Sequence, residues 1–546
     1  MNLNNNCSGG IKPSQTTPAD LNTQDGSTQK QSTSKLNRRE FVSRVSGAAA
    51  AASVLGLMAP KAFAGSPSNG YRDAFGPLFK AAPHSEPNHG PRKGLDSVRR
   101  WNVIAIDASG LDHTPVAPGE NRVFGEQLGP CRASRAMAIV HIAMSDTVAG
   151  VFRQYESYTR VRPPKGPISM QAAISQAAHD TLAALFPSQA TRFDAWLTED
   201  IDEVKHQKER ANGIDLGKRA AAAILALRAN DGSQISEPRV GVGHMTSNLP
   251  GHWRQDPISL IPLALGAHWG ECIPFALQSS SQFRVPLFPA LASPEYAVAY
   301  NEVKRLGGDG VVTPTERTPE QTHAGLFWAY DGTPSMCAPP RLYNQITVHI
   351  ADQMGTDGIE LARLLALVNV AMAEAGLAAW ESKYHFDIWR PITGIRESDA
   401  GSGPTGLGDG NSMTAGDPHF SPLGAPASNL MGPNFTPPFP AYPSGHATFG
   451  GALFQTLRRF YGTDDIAFTF VSDEFNGITR GNDGVVRPLM PRSFSSLSQA
   501  EEENGQSRIY LGIHWSFDKT EGIAQGRRVG DYVFDHTFAP LHHEGH

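Results

Sequence analysis

The sequence predicts an all-α fold: a large helical-bundle catalytic domain joined by long Gly/Pro-rich loops. Three observations lead there. Apolar residues recur at helical spacing, strand-like alternation is scarce, and 40% of the 546 residues are apolar while only 18% are charged, enough to bury a large core. The helical period is clearest at Leu361, Leu364, Leu365, Val368 and Met372, an i, i+3, i+4 stripe. Comparable Ala-rich segments cover 133–152, 167–187, 216–229 and 444–461. A chain of this length leaves open two packed four-helix bundles within that domain. Loops at 70–95, 399–438 and 477–495 separate the helices. The glycine series GSGPTGLGDG at 401–410 has no strand pattern before it and no helix pattern after it, so it reads as a surface loop, not a dinucleotide fingerprint.

Residues 1–64 read as an export leader preceding a catalytic domain at 65–546. Arg38 and Arg39 stand directly before an Ala-rich apolar run that ends in an Ala-x-Ala site at Ala62–Ala64. The paired arginines point to the twin-arginine route and hence to a bacterial protein that is periplasmic or secreted. The run is short of a membrane span, so no membrane segment is expected after cleavage.

The leader holds seven of the 47 basic and three of the 53 acidic residues, leaving 40 and 50 and a formal charge of −10. That balance carries no nucleic-acid or anionic-membrane footprint. Cys7 falls in the leader; Cys131, Cys272 and Cys337 remain, with no CxxC pair. One disulfide is compatible with this set, whereas a disulfide scaffold or a zinc site is not. The terminal HHEGH, with His542, His543 and His546, reads as an exposed tail.

Three blocks carry the chemistry. KYHFDIWRP supplies Lys383 and Arg390; AYPSGHATFGG supplies Ser444, Gly445 and His446 at the start of an apolar helical run; SRIYLGIHWSFD supplies Arg508, His514 and Asp518. Arginine forks match phosphate-like oxygens bidentately, and lysine adds a point charge. A helix start offers free N–H groups and the positive end of the dipole, and glycine lets backbone approach closely. The inventory fits a tetrahedral oxyanion faced by histidines.

These blocks resemble the shared signature of vanadium-dependent haloperoxidases, phosphatidic-acid phosphatases type 2 and bacterial class A acid phosphatases. The surroundings resemble the fungal-type vanadium chloroperoxidases in particular: FWAYDG at 327–332, PPRLYNQI at 339–346, WESKYHFDIWRPITGIR at 380–396 and PPFPAYPSGHATFGGALFQ at 437–455, so the likeness spans about 327–520. WNVIAIDASGLDHT at 101–114 is similar to bacterial relatives, with no chemistry assigned to it.

The resemblance implies a vanadate cofactor (V5+) whose oxygens are held by Lys383, Arg390, Ser444, Gly445 and Arg508. It implies His514 as the axial vanadium ligand, supported by Asp518, with His446 as acid–base partner and Lys383 polarising the peroxide. It further implies that Asp331 pairs with Arg508 and that Trp380, Pro437 and Phe439 line the halide approach. Phe439 stands where bromide-selective algal relatives carry a second histidine, which favours chloride-capable chemistry. The implied activity uses hydrogen peroxide to oxidise chloride or bromide to hypohalous acid, which halogenates a small organic acceptor. Two other readings use the same residues: an exported acid phosphatase with His514 as nucleophile, and a non-catalytic periplasmic anion binder.

Overall fold

The computed structural model describes residues 71–81, 89–90 and 92–541; the expected leader and the histidines at the C-terminal end lie outside them. Among the described residues there are fourteen α-helices and little strand. In chain order they are α1 (Tyr71–Phe75), α2 (Ser97–Asp112), α3 (Gly129–Phe152), α4 (Met170–Leu185), α5 (Ala190–Glu203), α6 (Gln207–Arg228) and α7 (Pro294–Leu306). Then come α8 (Pro319–Phe327), α9 (Pro339–Gln353), α10 (Gly358–Phe386), α11 (Pro391–Arg396), α12 (Gly445–Tyr461), α13 (Leu497–Tyr510) and α14 (Ser516–His536). Two small antiparallel pairs join Lys80–Ala81 to Leu430–Met431 and Phe468–Phe470 to Arg492–Phe494.

Each of the five expected helical segments lies on a helix. The stripe from Leu361 to Met372 belongs to α10, whose start is capped by Asp357 accepting from Ile359 and Glu360 N–H. This helix packs against α3 on one side and against α12 and α14 on the other. It serves two helical layers and is therefore apolar all round. Both α3 and α10 are long and apolar enough to cross a membrane, yet both are buried inside the fold. The resulting core runs continuously from α2 through α14.

The 70–95 segment departs from a plain loop. It contains α1 and the strand at Lys80, and it buries Phe75 and Phe79 with Phe124, Ile261, Leu430 and Phe435. Apolar burial of those rings outweighs the local Gly/Pro/His composition, which carries no helical period. Cys131, Cys272 and Cys337 are buried and free, so the one disulfide the sequence left open is absent.

Close approach between α12 and α14 brings two motif blocks together. Gly522, Gly526 and Gly530 recur every fourth residue on α14 and face α12; a Cβ on Gly526 would lie 2.1 Å from the Thr448 carbonyl oxygen. The backbones are near enough for Ser444 N–H to donate to the Asp518 carbonyl at 3.0 Å. Gly526→Ala is expected to push the helices apart and cost about 1–3 kcal/mol, measurable as a lower midpoint in urea unfolding. An unchanged midpoint would mean that the contact relaxes freely.

Candidate active site

The three blocks converge at the N-terminal end of α12. Ser444 is its N-cap, accepting from Ala447 N–H, and Gly445 is the first helical residue. A side chain at Gly445 would press on the Trp380 ring, with Cβ 3.1 Å from two ring atoms. Glycine therefore leaves the first N–H of the helix open at the wall of a cavity. That cavity measures about 60 Å³ and is lined by Asp331, His446, Arg508, His514, Trp380 and Phe439 among others. At ~10–15 Å³ per water-sized atom it has room for roughly four to six, enough for a tetrahedral oxyanion.

The arginines are held rigidly and incompletely. Arg508 donates Nη2 to Asp331 Oδ1 at 2.6 Å, while its Nε and Nη1 are buried without a partner. Arg390 donates Nε to the Phe439 carbonyl at 2.8 Å. Its Nη1 reaches the Ile513 carbonyl at 2.8 Å and His514 Nε2 at 2.9 Å, and Nη2 is buried without a partner. A buried unpaired donor costs about 1–3 kcal/mol. Three guanidinium donors left so at one site match a ligand rich in acceptor oxygens.

Both histidines have a defined tautomer. His514 Nδ1 donates to Asp518 Oδ2 at 2.8 Å, which also accepts from Trp515 N–H at 3.0 Å, so Nε2 carries the lone pair. His446 Nε2 lies 2.5 Å from the Ala329 carbonyl oxygen and must be the protonated nitrogen. Nδ1 is then the nitrogen that carries the lone pair.

Lys383 is anchored to the backbone. All three hydrogens of the Nζ ammonium are engaged by the Pro440, Ala441 and Pro443 carbonyls. Here Lys383 secures the chain leading into Ser444 and contributes charge to the site. The reason is tertiary: residues 440–443 fold back over the end of α10 within hydrogen-bond reach.

Charge is concentrated and costly. Burial, and then Arg390, pushes the Lys383 ammonium well below its ordinary range. Burial lowers Arg390 to about 9. The two imidazoles are held well below their usual range, first by burial and next by Arg508 for His446 and Arg390 for His514. Burial raises Asp331, and raises Asp518 to about 7. An anion placed among these groups would relieve each cation.

Trp380 and Phe439 pack at 4.8 Å between ring centroids, and with Pro437 they form an apolar side of the cavity. Trp380 Nε1 donates to the Leu265 carbonyl at 2.9 Å, fixing the indole. Sequence reasoning missed the Ala329 carbonyl and His113. The latter lies on the cavity wall with Nε2 accepting from Gly129 N–H at 2.9 Å. Their signal was present in FWAYDG and DASGLDHT, but a carbonyl leaves no trace in residue type.

Fold and site together define a helical-bundle enzyme built around a buried oxyanion pocket. Residues 363–543, which contain all three blocks, match the family described as the VCPO second helical-bundle domain. The chain is 30% identical over 502 residues to the vanadium chloroperoxidase of Curvularia inaequalis, spanning 77% of this chain and 78% of that protein. It therefore belongs to the vanadium-dependent haloperoxidases. Among solved structures, the first bacterial vanadium-dependent iodoperoxidase superposes with a TM-score of 0.65 at 22% identity, over 85% of this chain and 100% of that one. The apo form of a bacterial vanadium-dependent chloroperoxidase does so with a TM-score of 0.55 at 17% identity, over 75% and 94%. At those identities the likeness establishes a common fold.

Proposed function

We propose that this pocket holds vanadate and that the enzyme converts hydrogen peroxide, halide and a proton to hypohalous acid and water, the product halogenating small organic acceptors. The observation that carries this reading is the set of three buried, unpartnered guanidinium nitrogens, two on Arg508 at the cavity wall and one on Arg390 beside His514. Arg390 Nη2, Arg508 Nε and Nη1, the Gly445 N–H and the Ser444 hydroxyl would hold the oxygens. His514 Nε2 would be the protein ligand to vanadium, giving up its present contact with Arg390 Nη1. When bound, vanadate supplies a Lewis-acidic centre that activates peroxide at constant oxidation state.

The protein's own groups do the rest. Asp331 locks the Arg508 fork against the pocket, so its donors need no reorganisation as charge develops. His446 Nδ1 accepts a proton as peroxide enters and returns it to the departing hypohalite. Lys383 adds positive charge from behind the Ser444 turn. Phe439 and Trp380 offer halide an apolar approach in place of a hydrogen-bonding one, which favours oxidation of chloride as well as bromide.

The test uses leader-free protein reconstituted with orthovanadate and freed of excess. Peroxide-dependent halogenation of a dye with bromide and then chloride, suppressed by inorganic phosphate, is expected. Hydrolysis of a chromogenic phosphate ester by the vanadate-free protein, without any halogenation after loading, would overturn the reading. We also propose export through the twin-arginine route, on the strength of Arg38, Arg39 and the Ala62–Ala64 site. N-terminal sequencing of periplasmic or secreted protein should begin near residue 65, and exclusively cytoplasmic full-length protein would contradict it.

A further inference from the structure

Residues 329–331 touch the site twice. The Ala329 carbonyl accepts from His446 Nε2, and the Asp331 carboxylate accepts from Arg508 Nη2. Between them lies Tyr330, fully buried and with φ of +40°. A bulky aromatic at positive φ is strained, and such a conformation persists only where its surroundings enforce it.

The enforcement is visible. Asp473 N–H donates to the Tyr330 hydroxyl oxygen at 2.6 Å, the hydroxyl donates to Gln345 Oε1 at 3.1 Å, and Tyr330 N–H donates to Glu474 Oε1 at 3.4 Å. Gln345 Nε2 and Arg341 Nε both donate to Asp473 Oδ2, at 2.9 and 2.8 Å. Arg341 Nη1 donates in turn to Asp107 Oδ1 at 2.6 Å. The network runs from α2 through α9 to the turn at Asp473–Phe475. It gives Asp107 of DASGLDHT and Arg341 of PPRLYNQI, two motif residues with no chemistry of their own, a common task.

We infer that Tyr330 is a positioning residue of the reaction: its clamped hydroxyl holds the strained turn that orients His446 through the Ala329 carbonyl and Arg508 through Asp331. The inference rests on the acid–base reading of His446. Without the clamp, the turn relaxes toward negative φ, the Ala329 carbonyl swings off Nε2, and the His446 tautomer is no longer imposed. Removing one hydroxyl therefore acts on His446 and Arg508 through the backbone on either side of Tyr330.

The experiment compares wild type, Tyr330→Phe, Gln345→Ala and Gln345→Glu. In vanadate-free protein labelled with 15N-histidine, two-bond 15N–1H correlations report the tautomer of each imidazole, assigned with His446→Ala. Wild type should show His446 protonated at Nε2 alone, and Tyr330→Phe a mixture or an exchange-broadened signal. In vanadate-loaded enzyme, kcat should fall about tenfold with KM for halide changed less than about twofold, since displacement by a fraction of an ångström acts on the transition state. Gln345→Ala should reproduce the effect in part, and so should Gln345→Glu, whose second carboxylate oxygen would face Asp473 Oδ2 where the amide now donates. A lower melting temperature with wild-type kcat and an unchanged His446 spectrum would reduce Tyr330 to a structural role and overturn the inference. If Tyr330→Phe does not fold, Gln345→Ala decides by the same two readouts. Should His446→Ala itself retain turnover, the acid–base reading fails, while the tautomer spectrum still decides whether Tyr330 orients that ring.

Discussion

Replacing His446 with alanine should lower halide oxidation by about 10²–10⁴-fold while vanadate stays bound, the range for losing a positioned general acid–base group. The residue is 6% exposed, and its imidazole is held by the Ala329 carbonyl at 2.5 Å, with the Trp328 backbone also in reach. None of the oxyanion donors depends on it: Arg508 is fixed by Asp331, Arg390 by the Phe439 and Ile513 carbonyls, and the Gly445 N–H by the helix. The imidazole is held neutral by burial and by Arg508, so removing it takes no positive charge from the pocket and anion affinity should hold. Elemental vanadium after dialysis, beside initial rates of dye bromination, separates the two quantities. A variant with near-native rates would show that the proton moves by another route. Joint loss of vanadium and turnover would make His446 a holding group instead.

His514→Ala should reverse that pattern. Vanadium retention is expected to fall by about 100-fold or more, because even the groups that hydrogen-bond a metal-bound imidazole are worth about 10–100-fold in affinity. The geometry behind this is the Asp518–His514 pair, 2.8 Å long and buried, which keeps the Nε2 lone pair turned toward the pocket. Asp518→Asn, still able to accept from Nδ1, should fall between wild type and His514→Ala. Equilibrium dialysis against orthovanadate, on samples whose circular dichroism matches wild type, measures both. Undiminished retention in His514→Ala would mean that the arginines and the helix start hold the anion alone, and the axial assignment would be lost.

Much of this site is legible in the chain because its parts are local. Ser444, Gly445 and His446 announce themselves as a helix start through residue type and the apolar period that follows, and the helix spans Gly445–Tyr461 against an expected 444–461. The spacing of His514 and Asp518, four residues apart at the start of α14, puts the carboxylate within one turn of the ring it supports. The Lys383 contacts were not legible, since three carbonyls from residues 440–443 meet its ammonium only after α10 and the chain before α12 have packed. Nor was the ordered stretch at Tyr71–Ala81, whose Phe79 meets Phe435, 356 positions on in the sequence.

By itself the sequence determined the helical class, the three motif blocks and the chemistry of their residues, because helical period, capping and charge are properties of neighbours along the chain. Only the tertiary structure decided which donors stay unpaired, which histidine nitrogen carries its proton, and that Tyr330 is clamped at positive φ between the contacts to His446 and Arg508. Those outcomes depend on backbone carbonyls and buried carboxylates brought close from distant segments. A carbonyl is the same in every residue, so its role is set by position in space.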